Sequence, residues 1–146
     1  MTTKQKAWII VAVALLPVAL LGARLALVKS YSYALYAHAK GDFAIALPIV
    51  YANALLNDFP ACGLLGTMYL FGQGVSRNGR EAEYWLNKAA NGDSVQAQSL
   101  LGIMYATGQG VAVDRGKAQM WLTKAAAAGD VEATAMLRRL YQGERI

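Results

Sequence analysis

The chain has 146 residues, is 56% hydrophobic and carries a net charge of +5, from 14 Lys and Arg against 9 Asp and Glu. Its single cysteine excludes an intrachain disulfide, and one histidine with one distant cysteine is too few ligands for a zinc site. The only basic cluster, Arg138 and Arg139 with Arg145, is too small for a nucleic-acid face, so it reads as a solvated helix end or a lipid contact and no nucleic-acid partner is expected.

Residues 1–6 form a short basic tail with Lys4 and Lys6. The run from Ala7 to Val28 is apolar apart from Arg24, and its 22 residues make roughly 33 Å of helix against a hydrocarbon core of about 30 Å. Trp8 stands at one rim, and Tyr31 and Tyr33 at the other, as suits a helix that stays in the bilayer. Arg24 is near enough to the end to snorkel. A cleaved leader would need a shorter apolar stretch and a small-x-small site, but Ala23 has Leu21 two positions before it and Ala26 has Arg24. The prediction is an uncleaved transmembrane anchor over 7–28, with the tail in the cytoplasm and the rest of the chain in the periplasm. Ala19, Gly22, Ala23 and Ala26 give small-x-x-x-small spacings that permit close packing on another membrane helix.

Residues 29–60 read as a helical extension and a degenerate helical hairpin. Lys29–Ala39 has no breaker, Gly41-Asp42 stops the helix and caps the next, and a second helix is expected over Phe43–Asn57. Pro48 lies six residues in and is expected to kink this helix or delay its start. Phe59-Pro60 then reads as a break.

From Ala61 the chain repeats itself. Residues 61–96 and 97–132 are identical at 17 of 36 positions. Ala61, Leu64, Leu65, Met68 and Tyr69 fall at helical spacing, and Ala97, Leu100, Leu101, Met104 and Tyr105 repeat the stripe. Gly72 and Gly108 are expected to end these helices with positive φ. Asn78 with Glu81 reads as a capping box, and Asp114 takes the same cap position in the next copy. Second helices follow, with Ala82, Trp85, Leu86 and Ala89 inward, then Ala118, Trp121, Leu122 and Ala125. Gly66 and Gly102 are small enough for paired helices to approach closely. A fixed period of this length marks a stacked array of helix pairs, an all-α solenoid. Residues 133–146 keep Leu137 and Tyr141 but place Arg138 and Glu144 where the repeats have glycine, as suits a polar capping half-repeat.

The pattern A-x-x-L-G-x-M-Y-x-x-G-x-G-V…A-x-x-W-x-x-K-A-A resembles the Sel-one-like repeat family, a relative of the tetratricopeptide repeat. The resemblance covers 61–132 closely and 133–142 in part. It implies a scaffold or adaptor in bacterial envelope, secretion or signalling assemblies, with no active site.

The repeats offer no phosphate loop, metal spacing or nucleophile–base pair, so neither catalysis nor a cofactor is expected. A protein partner is expected instead, met where the copies differ: Cys62/Gln98, Thr67/Ile103, Leu70/Ala106, Phe71/Thr107, Tyr84/Met120 and Asn87/Thr123. Leu70, Phe71, Tyr84, Thr107 and Met120 are the candidate contacts, with packing against the hairpin 43–57 as the alternative role for the large ones. Three readings stay open. The chain is a membrane-anchored adaptor, an accessory subunit of a multi-subunit complex bound through its membrane helix, or a periplasmic protein released by cleavage.

Overall fold

The computed structural model describes residues 30–142. The expected anchor over 7–28 lies outside these residues, and among the described residues no helix is long and apolar enough to cross a membrane. They form α1 (residues 30–39), α2 (Phe43–Leu55), α3 (Phe59–Phe71), α4 (Gly79–Asn91), α5 (Val95–Thr107), α6 (Arg115–Ala127) and α7 (Val131–Gln142), with no strand among them. From α2 onward successive helices pack on one another, and α5 also meets α7.

The period reaches further back than the sequence identity. Helices α2, α4 and α6 begin at 43, 79 and 115, preceded by Asp42, Asn78 and Asp114. The turns after them pass through a left-handed residue at Asn57, Asp93 and Gly129, with φ of 60°, 61° and 92°. The second half of the degenerate hairpin is therefore the second helix of an earlier unit. Asn57 is why α2 ends at Leu55 and not at the expected Asn57: a left-handed residue cannot continue a right-handed helix. Pro48 sits inside α2 without delaying its start at Phe43. Asp42 makes no side-chain cap bond, which the sequence had suggested it would.

Phe59-Pro60 is not a break. Asp58 caps α3 by accepting the Ala61 N–H at 3.0 Å, and Pro60 occupies the first turn, where a missing N–H leaves no helix bond unmade. Ser94 caps α5 in the same way. The expected capping box at α4 closes on one side only. The Asn78 side chain accepts the N–H groups of Arg80 and Glu81, but its own N–H donates to the Tyr69 carbonyl at 3.0 Å. The Glu81 carboxylate turns instead to the Trp85 indole N–H at 3.1 Å. In the second repeat the Asp114 N–H donates to the Tyr105 carbonyl at 2.9 Å, so both glycine loops fold back onto the helix they leave. Gly72 and Gly108 start those loops as expected, with φ of 75° and 74°.

The core follows the predicted stripes. Leu65, Met68, Leu86, Leu101, Met104 and Leu122 are fully buried, and Ala82 and Ala118 with them. Trp85 and Trp121 keep only 4% and 5% of their surface exposed, with Lys88 and Lys124 covering their rings at 5.1 and 4.6 Å. Replacing either tryptophan with alanine is expected to cost about 3–5 kcal/mol, a large part of the stability of so short an array. Urea unfolding of the two variants measures it, and midpoints matching the parent would place the rings outside the load of the core.

Gly66 and Gly102 set the distance between paired helices. A Cβ at Gly102 would lie 2.5 Å from Leu122 Cγ, and one at Gly66 2.6 Å from Leu86 Cγ. Ala in place of Gly gains about 1 kcal/mol of helix propensity in a helix interior. Here the clash wins, because the Leu122 backbone N is also only 3.1 Å away and the leucine has no free direction. Gly102→Ala is expected to destabilise by about 1–3 kcal/mol, and by less in a chain already carrying Leu122→Ala. A double-mutant cycle in urea reads the coupling; additive costs would show that the two side chains do not meet.

Candidate functional site

Helix α1 lies alongside α3. Tyr31 lies by the start of α3, within electrostatic reach of Asp58 and Cys62, and at the other end His38 Nε2 sits 2.9 Å from the Gln73 amide oxygen in the first glycine loop. The His38 ring also meets Phe43 edge-on at 5.4 Å between centroids. Between α1, α3 and the first turn of α5 runs an open groove of about 540 Å³. Leu35 and Phe59 present apolar surface to it and are 44% and 45% exposed. Thr67, Asp93 and Gln96 supply its polar walls, and among the described residues no Lys or Arg lines it. Thr67 is spoken for, since its hydroxyl donates to the Gly63 carbonyl at 2.9 Å.

Burial pushes the Tyr31 phenol up to about 12, with the negative charges of Asp58 and Cys62 adding to it. Burial first and the Glu83 carboxylate second push Tyr105 to about 12. The Tyr105 hydroxyl donates to Glu83, tying α5 to α4. Both phenols hold their protons more tightly in the folded chain than when unfolded, where tyrosine ionises near 10. Their contribution to stability is therefore complete below about pH 10 and is lost as the pH rises to about 12. Unfolding midpoints are expected to fall across that window in the parent and to fall less in the Tyr31→Phe, Tyr105→Phe double variant. Equal slopes would show that neither phenol is held.

Cys62 is fully buried, and its thiol is raised mainly by burial, a setting for an inert thiol. Its Sγ donates to the Ala54 carbonyl at 3.6 Å. One repeat later the Gln98 amide donates to the Ala90 carbonyl at 3.1 Å. The two side chains do the same structural work at matching positions, satisfying a carbonyl at the end of the preceding helix. Among the described residues no three His, Cys, Asp or Glu side chains gather as metal ligands.

The candidate contacts from the sequence do not form one site. Phe71 and Thr107 are the last residues of α3 and α5, both exposed. Tyr84 and Met120 lie within α4 and α6 at 53% and 45% exposure, with Tyr84 edge-on to Trp85 at 4.9 Å. None of them lines the groove. Leu70 is a correction: it is only 3% exposed and belongs to the core. Its counterpart Ala106 is also buried, so at this position the copies differ in volume and not in accessibility. Tyr31, expected at the membrane rim, packs into the array. The groove residues Leu35, His38 and Phe59 lie outside the clear repeat, where no sequence pattern singles them out. Phe59, at the position of Val95 and Val131, was the one signal available.

Residues 60–94 and 95–130 match the Sel1 repeat, the Sel-one-like unit that the sequence resembled. The fold is similar to that of a Sel1 repeat protein from Oxalobacter formigenes, with a TM-score of 0.71 and 24% identity over 77% of this chain and 47% of that one. It is also similar to a protective antigen present in uropathogenic Escherichia coli strains that displays an SLR fold, with a TM-score of 0.73 and 28% identity over 82% of this chain and 27% of the antigen. The chain thus spans less than half the length of the first and about a quarter of the second. Among curated proteins none matches its sequence. Sel1 repeats generally mediate protein–protein interactions.

Proposed function

We propose that the chain is a non-enzymatic, membrane-tethered adaptor of a bacterial envelope assembly, which binds a protein partner through its Sel1 repeats. The observation that carries the binding reading is the groove between α1, α3 and α5. It joins exposed apolar side chains, Leu35 and Phe59, to polar walls at Asp93 and Gln96. That mixture suits a protein segment, with apolar contact for affinity and a few polar groups for register. With the Asp93 carboxylate in its wall, and no Lys or Arg among the described residues that line it, the groove favours a segment that is neutral or basic at that point.

The tether rests on the apolar run from Ala7 to Val28, long enough to cross a bilayer. Basic residues are nearly balanced across it, Lys4 and Lys6 against Arg24, Lys29 and Lys40, and the orientation adopted is the common one for a short tail ahead of an apolar helix: a single pass in the inner membrane with the tail in the cytoplasm and the repeats in the periplasm. Lipid is then the second partner.

Leu35 and Gln96 are both exposed, so Leu35→Arg with Gln96→Arg is expected to leave the melting temperature near that of the parent. Material co-purified from membranes in mild detergent should fall about tenfold, a loss of ~1.4 kcal/mol in binding. Survival of the complex would overturn the groove as its site. If it is then lost when 7–28 is exchanged for an unrelated membrane helix, the partner is held through Ala19, Gly22, Ala23 and Ala26, and the chain is an accessory subunit.

A further inference from the structure

The turns that follow α2, α4 and α6 are equivalent by the 36-residue period, but their tips are not alike. After α4 and α6 the two tip positions hold Asn91-Gly92 and Ala127-Ala128. After α2 they hold Leu55 and Leu56, which are 56% and 63% exposed. Two leucines on a turn cost solubility and add nothing to the core they point away from. Beside them the Lys88 ammonium is held to the Asn57 side chain, at 3.2 Å, on the same turn.

The place of this turn is what gives it meaning. Helices α1 and α3 run side by side in the same direction, with Tyr31 near Asp58 and Cys62 at the start of α3, and His38 bonded to Gln73 just past its end. The start of α1 and the α2–α3 turn therefore lie at the same edge of the array. The apolar run of the sequence ends at Val28, two residues before Ser30, where α1 is first described. The edge bearing the two leucines is thus the edge at which the chain arrives from that run.

We propose that the Leu55-Leu56 turn inserts into the lipid headgroup layer and forms a second membrane contact beside the anchor. This rests on the membrane-tethered reading given above. An apolar tip with an adjacent basic side chain is the arrangement that interfacial segments use: leucines enter the boundary of the acyl chains and the ammonium stays among the phosphates. A single helix leaves a domain free to swivel and tilt above the bilayer. A second contact at the same edge fixes its inclination and holds the α1–α3–α5 groove at a set height. Only the unit nearest the anchor reaches the lipid, which accounts for the polar or small residues in the later turns.

The test uses the full chain in vesicles of phosphatidylethanolamine and phosphatidylglycerol. Cys62 is fully buried and is left in place, with the labelled parent chain as background. Leu56→Cys and Ala128→Cys, at equivalent exposed positions, each carry an environment-sensitive fluorophore. A nitroxide placed on the lipid chains near the headgroup is expected to quench the probe at 56 about threefold more than the probe at 128, as contact with the acyl boundary requires. Equal quenching at the two positions in a chain that floats with the vesicles overturns the lipid contact and leaves the anchor standing. A probe at 56 shielded from aqueous iodide but not quenched by the lipid nitroxide overturns it in favour of a protein neighbour. A chain that does not float with the vesicles removes the anchor and this contact together.

Discussion

The two complete helix pairs of the array, α3–α4 and α5–α6, each depend on one close approach. Gly66 lies under the Leu86 side chain and Gly102 under Leu122, at distances that leave no room for a Cβ. With the two axes that near, small residues are the natural choice around the contact, and Ala82, Ala89, Ala118 and Ala125 are fully buried there. The large side chains are displaced to the next layer, where Trp85 and Trp121 lie buried. Dispersion and water exclusion from such tight packing are what a stack of short helices has in place of a deep central core.

The loops follow from the same geometry. Each pair must reverse direction within a few residues, and the left-handed glycines at 72 and 108 let the chain do so. The returning N–H groups of Asn78 and Asp114 then find the carbonyls of Tyr69 and Tyr105. Polar groups are satisfied locally throughout, with no buried side-chain nitrogen or oxygen left unpartnered among the described residues. The repeated positions are therefore committed to holding the stack. The residues that stay free for other work are those where the period is broken.

Both features with functional meaning are such breaks. The groove is walled on one side by α1, which joins α2 through a three-residue connection, residues 40–42, where the later pairs have a seven-residue glycine loop. Open space remains between α1, α3 and α5. The leucine tip exists because Leu55 and Leu56 replace side chains that are polar, small or absent in the later turns. A symmetric array presents similar surfaces along its length, and specificity comes from the places where one unit differs from the next.

The sequence by itself determined the helix pairing, the glycine stops and the buried tryptophans. These are local or strictly periodic properties: a 3.6-residue stripe, a C-cap, and a repeat offset of 36 positions read directly as stacking. It also carried the apolar run at 7–28, because membrane length is a one-dimensional quantity. What tertiary structure decided was which variable residues reach the surface and which meet one another. Leu70 looked like a contact because it differs between copies, yet it faces the core; identity varies with volume inside as readily as with chemistry outside. Glu81 looked like half of a capping box, but Trp85 was within reach and the loop had already claimed the Asn78 N–H. The hairpin ending at Leu55 was legible as a degenerate helix pair, but not its register in the 36-residue period, which is carried by backbone positions, Asp42 before the helix and Asn57 after it, and by few shared side chains. The groove depends on how α1 lies against α3 and α5, a relation among segments distant in the chain that no single window of sequence contains.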